Sequence, residues 1–243
     1  DKFTSGVSNL VIRTIQKAEE ILKTSTKTPT SADLLSLISE FDLRHQWATA
    51  LKDCSQAILN EKIANRAEAS LLNFVDKTGG RKSDFEIFSE NLGKVSEHFK
   101  KNNTEVHDYL VKCMNCQAAV GKAERSFHDS GKTFYLDWLE DYLERTCKPA
   151  LEGQKRLENL RLDLDRAKNQ LKNAQDTEES TKNFEILVEK AQKAYDEEAG
   201  IVKQHMTTAI NAFDNHKEHL GNFIKAQRDY HDACLKAIQS VTN

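Results

Sequence analysis

Residues 135–175 read YLDWLEDYLERTCKPALEGQKRLENLRLDLDRAKNQLKNAQ. Within and just around them Leu136, Leu139, Leu143, Thr146, Ala150, Gly153, Leu157, Leu160, Leu164, Ala167, Leu171 and Ala174 follow one another at alternating steps of three and four. Such a seam keeps one face of an α-helix apolar along its whole length, so the stretch predicts one long helix packed lengthwise against others. Working outward, a second seam runs through Val202, Met206, Ala209, Phe213, His216, Leu220, Phe223, Gln227, Tyr230, Cys234, Ala237 and Val241. Two helices of this length describe an extended all-α object, and such objects act through their surfaces.

Composition agrees with that reading. The chain has 243 residues, of which 2 are proline and 9 glycine, and no Pro/Gly/Ser-rich linker divides it. A hydrophobic share of 38% beside 30% charged residues suits narrow bundles, which carry more surface per residue than a sphere. The formal net charge of −3 argues against nucleic acid as the main partner. No apolar run is long enough to span a bilayer, and DKFTSGVSNL does not read as a secretory signal. Cys54, Cys113, Cys116, Cys147 and Cys234 read as reduced packing thiols of a cytoplasmic protein. Cys113 and Cys116 share a helical face, but no second pair or histidine cluster completes a tetrahedral metal site, and neither metal nor cofactor is expected.

Residues 3–23 form an amphipathic unit in which Phe3, Val7, Leu10 and Val11 lead the apolar positions and lysines flank them. A helix lying on anionic lipid needs this combination, although a terminal helix docked on the core shows it too. Thr28 before Pro29 reads as an N-cap with proline at the first helical position, opening a helix that reaches the low sixties. Thr78-Gly79-Gly80 breaks the pattern, so 64–95 reads as an irregular insert. Helix then runs from about residue 85 or 95 to 173–180, with Pro149 predicting a kink rather than an end. The polar DTEES at 176–180 reads as a turn, and a last helix is expected over 181–240.

Catalytic signatures are missing from the sequence. It contains no glycine-rich phosphate loop, no HExxH, and no nucleophile beside a recognisable base. Asp163 and Asp165 stand i,i+2 on a helix and point apart, so one is expected to pair with Arg161 or Lys168 and the other to face solvent. His216 lies on the seam and reads as a packed residue.

The run Arg161-Leu162-Asp163-Leu164-Asp165 with Ala167-Lys168 resembles the R-L-D-[LFY]-D run of BAR domains of the endophilin type. Val120-Gly121-Lys122-Ala123-Glu124-Arg125, Gln46-Trp47 and the late Asn222-Phe223-Ile224, Ala226-Gln227 and Tyr230 resemble endophilin-B members in the same order. The resemblance implies a single BAR domain over 1–243: a long kinked three-helix antiparallel coiled coil that pairs into a crescent-shaped six-helix homodimer. It also implies binding of anionic phospholipid membrane on the concave side, insertion of residues 3–23 as a wedge, and an insert at 64–95 that reaches the same side. Family members usually continue into an SH3 domain, so recognition of proline-rich ligands is expected only outside this chain.

These readings nominate Lys155, Arg161, Arg166, Lys168 and Lys172, with Arg81 and Lys82 on the insert, as membrane-binding residues. Phe3, Val7, Leu10 and Val11 are the inserting ones, and Leu160, Leu164, Phe213 and Phe223 the packing and dimer seam. The chain departs from the resemblance after Lys168, where Gln170, Asn173 and Gln175 replace basic residues and the return helix opens acidic from Asp176. The expected function is curvature sensing and generation at a cytoplasmic membrane surface. Its alternative is a dimeric helical adaptor that binds a small GTPase or another protein without remodelling membrane.

Overall fold

The computed structural model describes residues 28–59, 82–173 and 178–242, and every regular element among them is helical. The elements are α1 (Ala32–Ile58), α2 (Asp84–Phe99), α3 (Thr104–Gly131), a π-helical stretch (Lys132–Leu136), α4 (Asp137–Asp141), a second π-helical stretch (Tyr142–Cys147), α5 (Lys148–Asn173), α6 (Glu178–Phe213) and α7 (His216–Thr242). They form two compact units, one described over 28–49, 141–173 and 178–214, the other over 50–59, 82–140 and 215–242.

In the first unit α5 packs along α6. The seam explains why: Ala150, Gly153, Leu157, Leu164 and Ala167 are buried on α5, opposite buried Val202, Met206 and Ala209 on α6. Gly153 permits the close approach, since a Cβ there would lie 2.9 Å from Val202 Cγ2. Leu34, Phe41 and Ala48 of α1 are buried as well. Arg44 of α1 donates from Nη1 to the Ile210 carbonyl at 2.6 Å, and Tyr142 Oη donates to the Ala209 carbonyl at 3.0 Å.

In the second unit α3 packs against both α2 and α7. Phe127 meets Phe223 and Tyr230 with ring centroids 5.6 Å away in each case, and Tyr135 meets Phe223 at 5.5 Å. α3 and α7 are therefore antiparallel. Gly131 lies at the tightest point, where an added Cβ would stand 2.9 Å from Leu59 Cδ2 and 3.1 Å from Phe223 Cε2.

Several boundaries differ from the sequence expectation. α1 starts at Ala32, not Pro29: Ser31 caps it, accepting from the Leu34 N–H at 3.4 Å, while Thr28 turns to α5 instead. The stretch 64–95 is helical from Asp84 onward, and its earlier part lies outside the described residues. The cause is a capping box in which Ser83 and Glu86 satisfy each other's backbone donors. The long second helix is broken over 100–103, where Asn103 caps α3 by accepting from the Val106 N–H at 3.2 Å. The last helix is likewise broken at Asp214 and Asn215, although the seam keeps its register from Phe213 to His216. α6 begins at Glu178, inside the polar run read as a turn. Pro149 does not end its helix. The second π-helical stretch closes at Cys147 just before it, where the wider turn accommodates a residue that has no N–H to donate.

Candidate functional site

α5 carries the nominated cations, and its geometry sorts them. Glu158, Arg161, Asp165 and Lys168 recur at three- and four-residue steps, so they form a polar stripe immediately beside the seam residues Leu157, Leu160, Leu164 and Ala167. Arg161 is 6% exposed. Its Nε and Nη2 donate to the two Glu158 oxygens at 2.8 and 2.6 Å, and Nη1 donates to Asp165 Oδ2 at 2.8 Å. The Glu158 hydrogen bond is the main influence raising its pKa, against the opposing effect of burial. A buried guanidinium held by two carboxylates is a structural group, so Arg161 leaves the set of nominated lipid contacts.

The other nominated cations stand differently. Arg166 is exposed and pairs with Asp163 at 3.2 Å, a pair that adds no net charge to its face. Lys168 is half-buried and donates to Thr28 Oγ1 at 3.2 Å. Lys155 and Lys172 are exposed and form no ion pair among the described residues. Elsewhere on this stretch Arg145 pairs with Asp141, Lys148 with Glu144 and Arg156 with Glu198, at 2.9, 3.7 and 3.0 Å. Lys82 is exposed and paired with Glu90. Arg81, Phe3, Val7, Leu10 and Val11 lie outside the described residues. Of the seam residues, Leu164 and Phe223 are buried, and Leu160 and Phe213 half-buried.

A second feature was not nominated from sequence. α2 turns its small residues inward: Ser89 donates to the Met114 carbonyl and Ser96 to the Gly93 carbonyl, both at 2.8 Å. A Cβ on Gly121 would come within 2.5 Å of Glu86 Cγ, so α2 and α3 are in tight contact. Phe85, Phe88 and Val95 share one stripe of α2 and are exposed, as is Ile87. Burying serines while exposing phenylalanines inverts the usual arrangement. In the same unit a groove of about 290 Å³ runs between α3 and α7, walled by small residues such as Ala123, Ser126, Ala226 and Ala233 above Phe127 and Tyr230. The S-x-x-E pattern at Ser83–Glu86 was the available signal for α2. Nothing local signals that its phenylalanines face outward.

Among the described residues no group of three or more His, Cys, Asp or Glu is placed to hold a metal ion, and no helix is long and apolar enough to cross a membrane.

Comparison with known proteins adds an independent finding. The BAR-domain family profile matches residues 8–243. Endophilin-B1 of Gallus gallus is 26% identical over 236 residues, covering 97% of this chain and 64% of the relative. Endophilin-B2 of Mus musculus is 24% identical over 264 residues, covering 97% of this chain and 66% of the relative. The hydatid disease diagnostic antigen P-29 of Echinococcus granulosus is 24% identical over 228 residues, covering 92% of each. The chain thus spans just under two thirds of the endophilin-B1 it resembles.

Proposed function

This chain belongs to the BAR-domain family, and from that membership we propose that it is a membrane-curvature module that binds anionic bilayers as a homodimer. The observation that carries the reading is the family match over nearly the whole chain. BAR domains are a non-catalytic fold class, and no chemical step is assigned to this one. Two surfaces support the finer statement. The exposed stripe of Phe85, Phe88 and Val95 on one copy and the small-residue groove between α3 and α7 on another offer complementary faces for pairing. Lys155 and Lys172, exposed and without an ion pair among the described residues, supply cations for lipid headgroups, each contributing about 1 kcal/mol toward an anionic surface. Residues 3–23, with Phe3, Val7, Leu10 and Val11, are proposed as an inserting wedge, and Arg81 and Lys82 as further headgroup contacts.

Co-sedimentation with phosphatidylserine vesicles at low and high salt tests this. Binding that falls steeply with salt, with tubes visible by electron microscopy, is the expected result. A chain that forms dimers yet stays in the supernatant at every salt concentration would instead be an adaptor for a small GTPase or another protein.

A further inference from the structure

Thr28 is the first described residue, and it is tied to α5 by more bonds than a connecting residue needs. Its N–H donates to Asp165 Oδ1 at 2.7 Å and its hydroxyl donates to the same oxygen at 2.6 Å. Lys168 Nζ donates to the Thr28 hydroxyl oxygen at 3.2 Å. Asp165 uses its other oxygen for Arg161, which Glu158 holds in turn. Thr28 itself is 8% exposed, and the Asp165 side chain 13%. The carboxylate thus has donors on both oxygens, and a buried charge with both sides satisfied is costly to disturb.

Thr28 does none of the work a Thr-Pro pair usually does at a helix start, because Ser31 caps α1. Its side chain points back to residues 137 and 140 positions further along the chain. These bonds seat Thr28 on the stripe of α5 that flanks the seam, at the start of the described chain.

We infer that Thr28, through Asp165 and Lys168, anchors to α5 the point at which the inserting segment joins the described chain, and so couples insertion of that segment to the scaffold. This deepens the membrane reading and rests on it. A wedge held at a fixed point transmits its insertion to the scaffold. A wedge on a loose tether inserts without directing the scaffold, so attachment survives while remodelling is lost. Thr28 is therefore a positioning residue and touches no lipid.

The experiment uses the full chain with Thr28→Val, which keeps the shape and removes the hydroxyl, and Thr28→Ser, which restores it. Hydrogen exchange of the amides over 28–35 is expected to quicken about tenfold or more in the valine variant, because the hydroxyl's bonds to Asp165 and Lys168 are both lost, and to recover with serine. Sedimentation with phosphatidylserine vesicles should stay unchanged, while tube formation falls severalfold and returns with serine. Vesicle tubulation by Thr28→Val equal to wild type would overturn the anchoring role. Unaltered exchange would overturn the tether itself. A wild-type chain that fails to sediment at all would instead overturn the membrane reading beneath it, a result that the exchange measurement keeps separate.

Discussion

The phenol oxygen of Tyr135 lies 2.7 Å from Nε2 of His216, joining the first π-helical stretch to the opening turn of α7. Trp138 stacks on His219 beside this pair with ring centroids 4.7 Å apart, and His219 Nδ1 meets the Phe134 carbonyl at 3.0 Å. Burial lifts the Tyr135 phenol to about 12, and burial, ahead of the neighbouring His219, holds His216 below its ordinary 6.5. Near neutral pH, then, a protonated phenol and a neutral imidazole share this hydrogen bond.

That arrangement predicts acid sensitivity with a definite sign. The unfolded chain protonates His216 at a higher pH than the folded chain does. The stability contributed by the site is therefore complete above about pH 6.5 and is lost as pH falls from there toward the lower folded value. His45 in the other unit shifts the same way, with burial dominating the opposing influence of Asp42. Thermal unfolding followed from pH 8 to pH 5 should show Tm falling, and His216→Gln should flatten the slope without abolishing it. An unchanged slope in that variant would remove His216 from the account.

Two glycines should respond oppositely to alanine. At Gly121 the new Cβ would meet Glu86 Cγ at 2.5 Å and the Glu86 backbone nitrogen at 3.1 Å, so α2 must shift. The expected cost is about 1–3 kcal/mol. At Gly200, inside α6, nothing lies within 4 Å, and the better helix propensity of alanine should stabilise by about 0.5–1 kcal/mol. Denaturant titration of both variants decides it, and like signs would contradict the packing described for α2.

Phe88 is 51% exposed, so Phe88→Glu removes little from the chain's own core. It should leave helicity and monomer fold intact while weakening self-association by about 2 kcal/mol or more. Sedimentation equilibrium at micromolar concentration is the measurement. A variant that pairs as tightly as wild type would place the partner's contact elsewhere.

Lys172 and Arg161, both nominated from sequence for the same role, should separate cleanly. Lys172→Ala should weaken binding to phosphatidylserine vesicles about fivefold and leave Tm alone, since it is exposed and unpaired among the described residues. Arg161→Met removes the guanidinium from Asp165, leaving that carboxylate only its Thr28 donors, and should lower folding stability by about 1–3 kcal/mol. Vesicle sedimentation and thermal unfolding of the two proteins, read together, test the division.

Much of the architecture was legible in the chain because helical burial has a period. Among the seam positions that the structure describes, from Leu136 to Leu171 and from Val202 to Val241, none is exposed. That one of Asp163 and Asp165 would pair and the other face solvent also followed from helical spacing, and the structure makes Asp165 the partner of Arg161 and leaves Asp163 exposed beside Arg166. The family resemblance was likewise carried by residues in order along the chain, and the BAR-domain match covers 8–243.

Tertiary structure decided which helical cations are available and where helices stop. Helical spacing offered Arg161 nearby carboxylates, but only the structure shows that it is buried with them, 6% exposed, while Lys172 stays exposed. The same holds for Thr28. Its local partner Pro29 argued for a cap, but an Asp165 carboxylate 137 residues away took its amide and hydroxyl. Periodicity records which face of a helix is buried. It carries no information about partners that reach the border of that face from distant sequence, as Thr28 reaches Asp165, because such a partner is chosen by the cost of leaving a buried charge unsatisfied.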